Sequence, residues 1–179
     1  MALTNWQDNH PGTNEYDEFY QSYIELLNTD NIIQTLTVQG QGIYTLIRQL
    51  SPEEAAHRYA DEKWSIREVI GHLIDTERVM AYRAMCISRG EQASLPGFNQ
   101  DKYVDNAHFE ERTLQNLSAE YDAQRNATVS LFNGLTEKQI LQKGTANGAT
   151  VSVRALAHII AGHEKHHLKI LKEKYGIDK

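Results

Sequence analysis

Residues 65–90 read SIREVIGHLIDTERVMAYRAMCISRG, and the spacing of the apolar positions in this stretch decides the fold class. Ile66, Val69, Ile70, Leu73, Met80, Ala84 and Ile87 share one face of a helix, the pattern of a helix that buries one side. Its start is written in the same letters. Ser65-Ile66-Arg67-Glu68 is a capping box, in which the Ser65 hydroxyl accepts from the Glu68 amide while the Glu68 carboxylate reaches back. Gly90 ends it. A helix with one apolar face needs other helices to bury that face against.

Three further stretches carry the same period. Roughly residues 30–50 place Ile32, Leu36, Ile43, Leu46, Ile47 and Leu50 on one stripe, interrupted by Gly40 and Gly42. Roughly residues 110–135 turn Leu114, Leu117, Tyr121, Thr128, Leu131, Phe132 and Leu135 inward. The last helix starts at a Thr150 or Ser152 cap, runs to about Lys174 and stops at Tyr175-Gly176. Ser51-Pro52-Glu53-Glu54 predicts a short helical turn before Trp64, and aromatic-rich residues 16–27 a short lead-in helix. Residues 90–109 are the longest non-periodic stretch, and such loops are often functional. Residues 144–148 (GTANG) read as a turn, and no stretch alternates convincingly as a strand. The expected architecture is all-α, a four-helix bundle with a long crossover between helices 2 and 3. A single domain over residues 1–179 is expected, with residues 1–28 as an N-terminal lead-in.

With 24 acidic against 18 basic side chains and a formal net charge of −6, the chain is ill suited to a nucleic-acid backbone or an anionic membrane. Its single cysteine, Cys86, cannot form an internal disulfide and reads as a small core residue. No apolar run approaches the roughly 18–20 residues of a membrane span, and the first eight residues lack the features of a signal peptide. A soluble, cytoplasmic protein is expected. The unusual number is eight histidines.

Wound at about 100° per residue, the last helix places His163 and His167 within the apolar sector of Val153, Leu156, Ala157, Ile160 and Leu171. Arg154, His158, Lys165, Lys169 and Lys172 fall on the opposite, basic side, and neither His158 nor His166 lies on the stripe. Two imidazoles four residues apart on one helix can chelate one ion, and buried imidazoles need polar partners in any case. His163-Glu164-Lys165-His166-His167 matches H-E-x-x-H, which in zinc proteases makes the glutamate a general base. That reading fails on architecture: Glu173 and Ile170 stand where the extended motif needs histidine and glycine, and only twelve residues follow His167. The third ligand is sought upstream. His72, at the margin of the apolar face of the second helix, is the best partner; His57 and His108 fall in connections and His10 in a tail.

Residues 64–77 (WSIREVIGHLIDTE) resemble the W-S-x-x-E-x-x-x-H-L-x-D-x-E stretch of the DinB/YfiT-like superfamily, and residues 163–168 (HEKHHL) its H-x-x-x-H-L signature. Residues 95–101 (LPGFNQD) are similar to its P-G-F-D crossover segment, with Asn99 in place of the acid. The resemblance runs in order and spacing from about residue 30 to 175. It implies an up-down-down-up bundle, usually homodimeric, with a divalent ion, nickel or zinc, on His72, His163 and His167. Members include transferases of low-molecular-weight thiols, a thiol-dependent isomerase and many proteins named as metal-dependent hydrolases.

Three neutral imidazoles leave an ion with open positions, the pattern of catalytic sites. Three functions follow: transfer of a small thiol to an electrophilic substrate, hydrolysis by metal-bound water, or a non-catalytic metal-binding stress-response module. The substrate expected is a small molecule. Glu164 is the nearest candidate base, although it lies about 100° from His163 on the wheel. Asp75 and Glu77 are candidates to hydrogen-bond the ligand rings, with salt bridges as the plainer reading. A transferase needs a basic or polar pocket for the carboxylates of its thiol, for which Arg67, Arg78, Arg83 and Lys102 are candidate donors, none of them diagnostic.

Overall fold

A computed structural model describes residues 10–178, so the reading of the first eight residues lies outside it. Four long helices carry the fold: α2 (Ile32–Gln49), α4 (Ile66–Ser88), α6 (Leu114–Asn133) and α8 (Val153–Tyr175). Shorter ones join them: α1 (Gln21–Ile24), α3 (Pro52–Ala56), α5 (Gln100–Ala107) and α7 (Glu137–Ile140). Each long helix begins where a side chain can accept an orphan amide: Asn31 from Gln34, Ser65 from Glu68, Thr113 from Asn116 and Ser152 from Ala155. Of the two caps read for the last helix, Ser152 is the one used, and the Ser65–Glu68 box closes reciprocally. Among the described residues no helix is long and apolar enough to cross a membrane.

Contacts fix the directions. Ile66, Val69 and Ile70 at the start of α4 share one apolar cluster with Leu117 and Tyr121 of α6, and Met80, Ala84 and Ile87 share the other with Phe132, so α4 and α6 run parallel, with Glu77 and Arg125, each the twelfth residue of its helix, meeting between. Tyr175, the last residue of α8, donates its hydroxyl to the Trp64 carbonyl just before α4, and His72, the seventh residue of α4, meets His163 and His167, the eleventh and fifteenth of α8, so these two run antiparallel. Ile32 and Ile33 of α2 share one cluster with Val153 and Leu156 of α8, Ile47 shares the other with Leu171 and Tyr175, and Gln39 donates to the Ala161 carbonyl between them, so α2 and α8 run parallel. This is the up-down-down-up bundle. The apolar interior falls into two clusters, one holding Ile32, Leu36, Met80 and Leu156, the other Ile43, Ile70, Leu117 and Leu171. Between them lies a layer of buried polar side chains.

Four expectations are corrected. Residues 144–148 are not merely a turn: Lys143–Ala146 (β1) pairs antiparallel with Ala149–Ser152 (β2). Asn147 and Gly148 carry φ of +52° and +77°, the Asn-Gly turn that closes a two-residue hairpin. The strands, four residues each, are too short for alternation to register. Second, the crossover is not without structure, since it contains α5, capped by Asn99, and joins the hairpin through hydrogen bonds from the Leu95 amide to Thr145 and from the Asn147 amide to Leu95. Third, α6 starts four residues later than read, because Phe109–Glu111 forms a separate 3₁₀ turn whose Phe109 ring plugs against Gly71. A Cβ on Gly71 would stand 2.4 Å from carbons of that ring. The lead-in is a 3₁₀ turn (Glu18–Tyr20) running into the single turn α1, rather than one helix.

Candidate metal centre

His72 from α4 and His163 and His167 from α8 come together between the two halves of the core. The Nε2 atom of His163 lies 3.0 Å from that of His72 and 3.1 Å from that of His167. An imidazole Nε2 carries either one proton or one lone pair, so the His163 atom cannot satisfy two such neighbours by ordinary hydrogen bonds. One cation accepting all three lone pairs satisfies them together. Nitrogens each about 2.0–2.1 Å from one ion lie about 3.0 Å apart at a right angle and about 3.4 Å at the tetrahedral angle. The arrangement fits such an ion.

Burial sets the charge state. Desolvation lowers His72 to about 4 and, with His72 and His166 adding repulsion, His167 to about 3. His163 is pushed well below the ordinary histidine value by desolvation and then by the His167 and His72 rings. All three rings are neutral near pH 7, with lone pairs to give. Thr76, one turn beyond His72, holds its hydroxyl 3.4 Å from the His72 Nδ1, and the Trp64 ring covers the same imidazole at 4.8 Å between centroids. The His167 Nδ1 is buried with no partner among the described residues.

Glu164 sits behind the histidines. It is buried, not solvent-facing, and its carboxylate accepts from Arg125 at 2.6 Å and from the Tyr121 hydroxyl. Arg125 also donates to both Glu77 oxygens, at 3.0 and 2.8 Å, and to the Leu36 carbonyl at 2.7 Å. One guanidinium thus ties α2, α4, α6 and α8 together. Burial outweighs Arg125 and Tyr121 and leaves the Glu164 carboxyl above its ordinary value. Glu77 takes the interhelical ion pair and Asp75 pairs with Arg78; no hydrogen bond joins either carboxylate to a ligand imidazole. Arg125 was not singled out from the sequence. Its signal was there, since it stands four after Tyr121 and three before Thr128 on the inward stripe, where a lone charge implies buried partners.

His158 corrects the helical wheel. Instead of lying on a solvated basic side, it is 1% exposed. The wheel allowed α8 one buried face, but residues 10–27 pack on the other. Glu15 pairs with Arg154, and the Tyr23 carbonyl would stand 2.2 Å from a Cβ on Gly162. Under this cover the His158 Nδ1 approaches the Arg154 carbonyl at 2.9 Å and its ring lies 5.1 Å from His10. His166 is half-buried, its ring 5.1 Å from that of Tyr23. His57 and His108 are exposed in connections, as expected. Cys86 packs partly buried against the core.

A cavity of about 430 Å³ opens beside His163. Its wall includes Tyr20 and Tyr23 of the lead-in, Thr76, Met80 and Arg83 of α4, Phe98 of the crossover and the hairpin turn at Asn147. A second, of about 240 Å³, reaches His167 past Trp64 and Tyr175. Of the cations named from the sequence, Arg83 alone lines the larger cavity; Arg67 donates to the Glu110 carbonyl, Arg78 pairs with Asp75 and Glu120, and Lys102 is exposed.

Comparison with known proteins bears on this geometry. A protein of Oceanobacillus iheyensis named "Putative metal-dependent hydrolase" is 29% identical over 131 residues, covering 70% of this chain and 73% of its own length. The structure of YfiT from Bacillus subtilis, described as "a probable metal-dependent hydrolase with an unusual four-helix bundle topology", superposes with a TM-score of 0.73 at 14% identity, covering 96% of this chain and 95% of that one. A DinB-like protein of Bacillus subtilis, YjoA, superposes with a TM-score of 0.59 at 20% identity, over 83% of this chain and 93% of its own. The DinB superfamily model matches residues 36–171, a span that contains all three converging histidines, and the chain belongs to that superfamily.

Proposed function

We propose that this protein is a metal-dependent enzyme acting on a small organic molecule, with one divalent ion, zinc or nickel, held by His72, His163 and His167. The observation that carries this reading is the meeting of three Nε2 atoms at a distance that suits a shared ion and defeats ordinary hydrogen bonding. Bound there, the ion supplies Lewis acidity and lowers the pKa of a nucleophile beside it. The chain does the rest. Burial keeps the rings neutral, Thr76 and Trp64 hold the His72 ring, and the Arg125–Glu164 pair fixes the α8 turn that carries His163.

Hydrolysis is the first reading, supported by the names of the relatives. Transfer of a thiol is the second, and a specific observation favours it. Glu164, the carboxylate next to the histidines in sequence, is occupied by Arg125 and Tyr121, and a thiol needs a general base less than water does. Because Cys86 lies outside the cavity wall, such a thiol would arrive with a cosubstrate.

Metal analysis of untagged protein tests the centre. Wild type is expected to bind one zinc or nickel per chain, and His72→Ala, His163→Ala and His167→Ala each to lose it, while His158→Ala and His166→Ala keep it. Full metal affinity in His163→Ala overturns the assignment. Activity that needs metal but no thiol marks hydrolysis; activity that needs one thiol marks transfer.

A further inference from the structure

The cavity beside His163 contains a charge that the protein leaves unanswered. Arg83 is 3% exposed, yet no carboxylate among the described residues forms an ion pair with it. Its Nε is buried with no hydrogen-bond partner among the described residues, one terminal nitrogen faces the Met80 sulfur at 3.5 Å, and the other donates to the Pro96 carbonyl at 2.8 Å. The Phe98 ring lies against the guanidinium, 5.9 Å from its centroid. Buried arginines normally sit against carboxylates, because a charge taken out of water without a partner loses its hydration uncompensated. Arg125, equally buried, has two. The contrast marks Arg83 as a group whose partner is a ligand.

The rest of the wall describes that ligand. Thr76, Met80 and Arg83 all line the cavity, which therefore runs along α4 away from the histidines. Tyr20, Tyr23, Phe98 and Met80 offer flat aromatic and soft apolar surface between the two ends. Asp17 also lines the cavity, but it is exposed and its carboxylate accepts from the Phe19 amide. The crossover carbonyl and the Phe98 ring orient the Arg83 fork in advance, as paired recognition of a carboxylate requires.

We propose that Arg83 is the specificity-determining residue of this site, and that the substrate is a small aromatic or apolar carboxylate whose anion pairs with Arg83 while its reacting group lies toward His163. This rests on the reading of the histidines as a metal centre, but its test does not depend on it. Binding of 3-phenylpropionate and of its neutral amide is measured by calorimetry on the protein as purified, with its metal content recorded, and again after chelation. The acid is expected to bind at least about tenfold tighter than the amide in both states. Arg83→Met should abolish that preference with metal content unchanged, and Arg83→Lys should keep part of it. Equal binding of acid and amide, binding of neither at millimolar concentration, or a preference that survives in Arg83→Met overturns the proposal. So does a preference that vanishes on chelation, which places the carboxylate on the ion. Should Arg83→Met not fold, the wild-type contrast before and after chelation decides. Failure of the metal reading shows instead as absent metal, with the acid preference intact.

Discussion

Replacing Arg125 by leucine removes the one cation shared by two buried carboxylates. Side chains in this cluster are 4%, 4% and 2% exposed for Arg125, Glu77 and Glu164, so water cannot take the place of the lost donor. Breaking a buried ion pair from one side costs about 3–5 kcal/mol. Here two carboxylates and the Leu36 carbonyl lose their donor at once, which places the expected loss near the top of that range, about 4–5 kcal/mol. The direction with pH follows. With Arg125 gone, burial acts on the Glu164 carboxyl with only the Tyr121 hydroxyl against it and raises its folded-state pKa further above the unfolded value. A raised carboxyl contributes stability that is present at low pH and lost as pH rises through the folded value. The deficit against wild type should therefore be largest near pH 7 and shrink toward pH 5. Urea unfolding followed by helical circular dichroism measures both. Replacing Arg125, Glu77 and Glu164 together by apolar residues of similar size should recover most of the loss. A deficit under about 1 kcal/mol at neutral pH, or one that widens on acidification, would refute the account.

Gly71→Ala drives a methyl into the Phe109 ring, and with both groups buried the expected cost is about 1–3 kcal/mol, read as a lowered melting temperature that Phe109→Leu partly restores. His158 sets an acid limit: desolvation holds its folded pKa at about 4, so between about 6.5 and 4 the unfolded chain takes up a proton that the folded chain refuses. Stability should fall across that window by up to about 3 kcal/mol, and stability-against-pH curves for His158→Gln should be flatter than wild type by that amount. An unchanged slope would show that His158 is not the group titrating.

The bundle was legible because each long helix repeats its message: an apolar stripe of several residues and a cap at the start. Short elements have no such redundancy. A four-residue strand gives two residues to each face, so the hairpin at Asn147-Gly148 passed for a turn, and α5 hid inside the crossover. His163 and His167 were readable because both lie on one helix, where spacing fixes relative direction. Partners from other helices were harder. His72 needed the resemblance to move from best guess to expected ligand, and Arg125, alone on its stripe, was passed over. His158 was misread for a third reason. A wheel ranks faces of one helix against each other, and it cannot register that the chain returns to cover a second face.

Four residues on the wall of the larger cavity, Asp17, Phe19, Tyr20 and Tyr23, precede position 36, where the superfamily match begins. Of these, Tyr23 reaches the centre, its ring 5.5 Å from that of His163, and Gly162 lets its backbone lie close against α8. The wall of the cavity is thus drawn from two stretches of chain: the lead-in supplies these four residues, and the matched span supplies Arg83, Phe98 and Asn147 together with His163. A change confined to residues 17–23 would therefore reshape one side of the cavity and leave the three histidines in place. Transplanting residues 10–27 between relatives is then a way to alter that side of the cavity while Arg83 and the centre stay as they are.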